Sequence, residues 1–308
     1  MTARAWAALT TIYVVWGSTY LAIMVAIRTL PPLLMSSVRF LVAGGILYAW
    51  SARRGVPRPS LRHWRSALVV GAALLLVGNG GIAWAEQRID SGVAALLVAT
   101  IPLWMAVFDR VFVGRRMSRR TVLGLLVGLA GVVLVVGPVG GSGIGVVGAL
   151  ACLVAALSWA GGSIYAHGAE LPKDVLLGSG MEMLAAGVLL AAAGLGSGEA
   201  AQVHAVSLAS LGALAYLVVV GSLVAYSAYV WLLKSAPIST VSTYAFVNPA
   251  IAVALGAAFL GEPLTLRTLA ASAAIVVSVA LIVAGRAAPA AAPATLRRPL
   301  PEPLRRAA

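Results

Sequence analysis

The chain has 308 residues, of which 61% are hydrophobic and only 10% charged, and its formal net charge is +13. A soluble globular domain carries about a quarter charged residues, so composition excludes a water-soluble fold and requires a bilayer as solvent. The basic excess does not describe a nucleic-acid surface, because the Arg and Lys residues fall between apolar runs and in the C-terminal tail.

In chain order, the apolar run from Trp6 to Ile27 is too long for a signal-peptide core and predicts a retained first helix. A spanning helix needs about 20 apolar residues. Runs at 6–28, 31–51, 65–86, 91–112, 121–138, 146–168, 174–195, 208–233, 237–260 and 265–285 predict an all-α membrane protein of ten transmembrane helices. Helices are the expected state because no backbone group can be left bare in lipid. The sixth run holds the single cysteine, Cys152, which reads as a small packing residue with no disulfide partner in the chain. Beyond residue 285 the sequence is rich in Ala, Pro and Arg without apolar periodicity. This predicts a disordered cytoplasmic tail over 286–308, whose basic residues either touch anionic lipid or are simply solvated.

The placement of charge predicts orientation. With the N-terminus cytoplasmic, Arg4, the groups Arg53–Arg65 and Arg110–Arg120, Lys173, Lys234 and the tail arginines all lie inside. Of the 22 Lys and Arg residues, only Arg28, Arg88 and Arg267 then fall outside, and Arg39 lies within a span. The positive-inside bias therefore predicts that both termini of this multi-pass inner-membrane protein lie in the cytoplasm.

The chain also repeats itself. A shift of 147 positions carries Trp84 onto Trp231, Pro102 onto Pro249 and Gly114 onto Gly261, and Trp16-Gly17-Ser18-Thr19 has a looser counterpart in Trp159-Ala160-Gly161-Gly162. The repeats are five-helix units over 6–138 and 146–285. Five is odd, so the second unit enters the membrane inverted. The charges agree: the loops around 196–207 and 261–264 carry Glu199, His204 and Glu262 but no Lys or Arg. Inverted repeats are the architecture of many secondary transporters, with the substrate site near the midplane between the halves.

The motifs Trp16-Gly17-Ser18-Thr19-Tyr20, Val38-Arg39-Phe40, Gly78-Asn79-Gly80 with Ala85-Glu86, Asn248-Pro249 and Gly261-Glu262, in this order and spacing, resemble the EamA family of the drug/metabolite transporter superfamily from about residue 6 to 285. The resemblance implies two inverted EamA repeats around a central cavity and export of metabolites such as amino acids, or of drug-like compounds. An importer or facilitator, or a non-transporting membrane receptor or assembly protein, are the alternatives. Gly114-Arg115 stands where the second copy has Gly261-Glu262, a departure from the family pattern.

Three charged residues are candidates for coupling. Glu182, within the seventh helix, is either a proton-coupling site, a structural partner of Arg39 or of a backbone group, or a residue at an interfacial position. Arg39, within the second helix, either holds an anionic substrate group or, the reading the residues favour, pairs internally or snorkels. Glu86, closing the third helix beside Arg88 and Asp90, either draws cationic substrate to the cavity mouth or belongs to an ordinary loop cluster. Asn79, flanked by glycines, reads as substrate contact or helix glue.

The prolines Pro102 and Pro249 each remove a helical hydrogen bond and read as hinges or as static kinks. Tyr13, Trp16 and Tyr20 share one helical face, as do Ser222, Tyr226 and Tyr229, and Tyr244 and Asn248. With Trp104 and Trp159 they suit a cavity for amphipathic solutes, including cations over ring faces, although such stripes also serve packing. Gly124, Gly128 and Gly131 form a small-residue stripe for close helix approach, within the fold or in a dimer.

His63, His167 and His204 are scattered, and Gly140-Gly141-Ser142-Gly143 lacks the lysine of a phosphate loop. No enzyme, cofactor or metal site is expected. The expected partners are a small-molecule substrate and the lipid bilayer, in a monomer or homodimer that binds no nucleic acid.

Overall fold

A computed structural model of the chain describes residues 2–112, 117–136, 145–236, 241 and 243–287. Gly114, the loop 140–143 and the tail from 288 lie outside the described residues, as does the side chain of Lys234. The described residues form helices throughout, and eight stretches are long and apolar enough to cross a membrane. These are α1 (Ala3–Ala26), α2 (Pro32–Arg53), α3 (Leu61–Ala85), Ser91–Phe108, α7 (Val146–Gly168), α8 (Val175–Gly196), α9 (Leu208–Leu233) and Leu266–Gly285, the last within the helix α11 (Leu266–Ala287). The Ser91–Phe108 stretch is two helices, α4 (Ser91–Val98) and α5 (Ile101–Phe112). The expected runs at 121–138 and 237–260 correspond to α6 (Arg119–Val136) and α10 (Tyr244–Leu255), the latter continuing as a π-helical turn over Gly256–Leu260. A 3-10 turn, Glu199–Gln202, follows α8.

Without a hydrophobic force between helices in lipid, close contact depends on small residues. Gly44 on α2 and Gly180 on α8 face each other: a Cβ on Gly44 would stand 2.9 Å from the Gly180 carbonyl, and one on Gly180 3.1 Å from the Gly44 carbonyl. The stripe Gly124, Gly128 and Gly131 lies against Ser278, Ile275 and Ile282 of α11, where the Ser278 hydroxyl donates to the Gly124 carbonyl at 2.6 Å. The stripe is therefore used inside the fold. Large apolar side chains such as Trp50, Leu126, Val188, Phe259 and Val277 remain exposed on the surface that lipid covers.

Two of the rods contain a π-helical segment, Ala72–Gly80 in α3 and Leu217–Tyr226 in α9. Such segments widen the helix and free backbone groups. The Ala73 carbonyl in the first accepts from the Ser158 hydroxyl of α7 at 2.9 Å. The two prolines differ locally. Pro249 sits inside α10. Pro102 is the second residue of α5, just after the break at Ala99 and Thr100, a position where the missing N–H costs no helical bond.

Candidate functional site

A cavity opens at the centre of the helices. It contains about 570 Å³ of atom-free space, mouth included, of which about 50 Å³ admits the centre of a water molecule. One part of its wall comes from α1, α2 and α3, with Trp16, Thr19, Tyr20, Arg39, Phe40 and Asn79. The facing part comes from α7, α9 and α10, with Trp159, Gly221, Tyr226, Tyr244 and Asn248. Val98 and Ile101 flank the break between α4 and α5 and close the remaining side.

The aromatic wall is a packed cluster. Trp16 meets Trp159 edge to face at 5.7 Å and Tyr244 edge to face at 5.2 Å. Tyr229 lies behind it, 4.9 Å from Trp16 and 6.0 Å from both Trp159 and Tyr244, and is 1% exposed. Edge-to-face rings at these distances attract through their quadrupoles, so the wall is held in one arrangement. The Asn248 amide, oriented to satisfy its neighbours, donates to the Tyr13 and Tyr244 carbonyls. Asn248 thereby ties α10 to α1 one residue before Pro249.

Two buried charges flank this wall. Arg39 is 4% exposed. Its Nε donates to the Ser222 hydroxyl at 2.8 Å and one terminal nitrogen donates to Asn79 Oδ1 at 3.4 Å. Ser222 lies in the π-helical segment of α9 and Asn79 in that of α3, so the two widened turns grip one guanidinium. Among the described residues no carboxylate lies within 4.0 Å of it, the two ion pairs being Arg54–Asp174 and Arg62–Glu170. Glu182 is 2% exposed and accepts a 2.6 Å bond from the Tyr226 hydroxyl. The internal partners of Arg39 are thus a hydroxyl, an amide and the Phe40 ring, 4.8 Å away at its centroid, and Glu182 is bound to Tyr226 rather than to Arg39.

Of the expected cavity residues, Trp16, Tyr20, Asn79, Trp159, Tyr226, Tyr244 and Asn248 line the space, and so does Arg39. Trp104 is half-buried with its indole nitrogen unpartnered, and it does not line the cavity. Glu86 is 2% exposed, both carboxyl oxygens lack a partner, and it too is off the cavity wall. Arg88 does not reach it, and instead stacks on Trp84 at 3.6 Å and donates to the Trp84 carbonyl. Thr19, which the sequence showed only as part of a motif, and Gly221 line the cavity without having been candidates for it, since neither residue type carries a signal of its own.

Two carboxylates join elements far apart in the chain. Glu262 accepts from the backbone N–H groups of Ser91 and Gly92 at the head of α4. Glu199 accepts from those of Leu33 and Leu34 in the first turn of α2, at 3.2 and 2.9 Å. A helix N-terminus carries free N–H donors and partial positive charge, which a carboxylate satisfies.

The description of the EamA-like transporter family matches residues 4–137 and 146–284. The chain belongs to this family. The uncharacterized inner membrane transporter YedA of Escherichia coli K12 is 39% identical over 280 residues, covering 91% of this chain and 90% of YedA. The uncharacterized transporter YvbV of Bacillus subtilis 168 is 29% identical over 273 residues, covering 87% of this chain and 88% of YvbV. A solved crystal structure, 21% identical, superposes on 93% of this chain and 99% of its own length with a TM-score of 0.65, a likeness of fold. The EamA family is a membrane transporter family, and this member is a multi-pass membrane protein whose cavity is walled by both of its EamA-like stretches.

Proposed function

We propose that this EamA protein is a secondary-active exporter of small metabolites, such as amino acids, or of drug-like compounds, working by alternating access between two inverted five-helix halves. The observation that carries the reading is the shared cavity: Trp16, Arg39 and Asn79 come from the first family-matched stretch, Trp159, Tyr226, Tyr244 and Asn248 from the second. A solute held there touches both halves, so its binding energy can bias their relative position. The free space admits little more than water, so a metabolite enters only as the walls part.

Helix pairing supports the inverted arrangement of ten spans, with α4 and α5 together forming the fourth. Helix α2 lies along α8, and α6 along α11. Helix α1 packs on α9 and α10, as α7 packs on α3 and α5. Exchanging the two halves maps this set of pairs onto itself. The π-helical segments of α3 and α9 fall at corresponding places in the halves, as the offset of the prolines would have it. In this arrangement both termini lie in the cytoplasm, Glu182 is a proton site, and Pro102 and Pro249 mark where the halves flex.

The test is solute flux into proteoliposomes without ATP, using solutes found by comparing metabolites of cells with and without the protein. Accumulation driven by an imposed pH gradient and abolished by a protonophore is expected. Flux indifferent to the gradient would make the protein a facilitator, and absence of flux for every solute so found would end the transport reading. Labelling of single cysteines in a Cys152→Ser background should place residues 53–65 and 196–207 on opposite sides of the bilayer.

A further inference from the structure

The cavity holds one formal charge, and it is positive. Among the described residues that line it, Arg39 is the sole ionisable group other than tyrosine, and none is acidic. A buried charge without a counter-charge is unfavourable, and Ser222 and Asn79 offer only neutral acceptors. A guanidinium has five N–H donors. Two are taken here, and among the described residues the nitrogen Nη2 has no acceptor.

Nη2 lies where the wall has been kept thin: a Cβ on Gly221 would stand 3.2 Å from it. The rest of the wall is aromatic and apolar, with Trp16, Phe40, Trp159 and Tyr244. The cavity therefore presents a cationic fork at one side and ring surfaces around it. A planar carboxylate meets such a fork through two parallel charge-assisted bonds. An ammonium group would meet no anion in the lining: of the buried acids outside it, Glu182 is bound by the Tyr226 hydroxyl, and Glu86 is off the cavity wall.

We propose that the transported solute is a small organic monoanion with a flat apolar body, its carboxylate seated on Arg39 and its body against the Trp16–Trp159 wall. The proposal rests on the transport reading above and narrows its substrate class to acids without an ammonium group, which sets amino acids aside. The neutral bonds to Ser222 and Asn79 hold the guanidinium in place, and the arriving carboxylate supplies the missing counter-charge. Because those two residues sit in the widened turns of α3 and α9, the anion also bridges the halves through a single side chain.

The experiment uses the purified full-length chain in detergent and reads saturable quenching of tryptophan emission. The probes are phenylacetate and 3-phenylpropionate, with phenylacetamide as the neutral match and phenethylammonium as the cation. Both anions should bind, and the amide and the cation about tenfold or more weakly, as expected when a buried charge partner is lost. Arg39→Gln should abolish the preference for phenylacetate over phenylacetamide, and Arg39→Lys, a point charge without the fork, should weaken it.

Melting temperature and size-exclusion profile show whether each variant is folded. If Arg39→Gln does not fold, Gly221→Ala carries the test. It keeps the charge but crowds Nη2, and should lower affinity for the anions more than for the amide. Failure of both anions to bind, equal binding of amide and acid, or tighter binding of the cation would overturn the assignment. Flux assays with the same probes in proteoliposomes keep the two readings apart. Anion binding with no flux of these probes or of any solute found in the metabolite comparison would break the transport reading alone, and flux of the amide and cation in preference to the acid would break the substrate class alone.

Discussion

The carboxylate of Glu262 closes on Ser91 from 171 positions away in the chain, with Oε1 accepting from the Ser91 N–H at 2.8 Å and from its hydroxyl at 2.6 Å. Its Oε2 accepts from the Gly92 N–H at 3.0 Å. The two partners lie in different family-matched stretches, so this cap fastens one half to the other. Glu262→Ala leaves the head of α4 without its acceptor and should cost about 2 kcal/mol, seen as a lower melting temperature at one fixed scan rate. Glu262→Gln, which keeps one acceptor oxygen, should lose less. An unchanged melting temperature in Glu262→Ala would show that solvent replaces the cap without cost.

Glu199 makes the second such cap, on Leu33 and Leu34 across 166 and 165 positions. Pro31 and Pro32 stand at the head of α2, and proline has no N–H to cap, so these two amides are the first donors available. Glu199→Ala should destabilise by about 1–2 kcal/mol. The two caps lie on different helices with no shared partner, so the double variant should show an additive loss. A loss clearly larger than the sum would indicate that they release the halves together.

Substituting the facing glycines of α2 and α8 tests packing. An alanine at Gly44 brings its Cβ to 2.9 Å from the Gly180 carbonyl, the Leu184 amide nitrogen and the Met183 Cβ. Two of these three atoms are backbone, which cannot swing aside. Gly44→Ala should cost about 1–3 kcal/mol and Gly44→Leu more. Gly45, its chain neighbour, meets nothing within 4 Å, so Gly45→Ala should leave the melting temperature unchanged or raised, and the pair makes a matched control.

Tyr226→Phe removes the hydroxyl that binds Glu182. Loss of a buried hydrogen bond to a charged group costs about 1.5–3 kcal/mol. The same change exposes the acid behind the cavity wall, so discrimination against phenethylammonium should weaken in the quenching assay. Glu182→Gln should abolish the dependence of flux on an imposed pH gradient if Glu182 carries the coupled proton. Retention of that dependence would remove Glu182 from the coupling mechanism.

Much of this protein was legible in the chain because the bilayer acts locally. Each span satisfies its own backbone, so an apolar run such as 146–168 announces the helix Val146–Gly168 with nothing else known. Helical periodicity likewise placed Trp16 and Tyr20 together, and Tyr244 with Asn248, and all four line the cavity. The sequence by itself determined helices, their faces and the family.

Only the tertiary structure decided partners. Arg39 and Glu182 were each legible as costly charges in lipid, yet their bonds to Ser222 and Tyr226 depend on how α2, α8 and α9 lie together. The sequence marked Glu86 at a helix end, but its burial without a partner comes from neighbours packed over it. Glu199 and Glu262 read as loop acids, and their roles as caps arise where distant helix heads meet them. A hydrogen bond depends on positions within a few tenths of an ångström, set by the packing of all the helices at once, whereas a helix in lipid depends on little beyond its own residues.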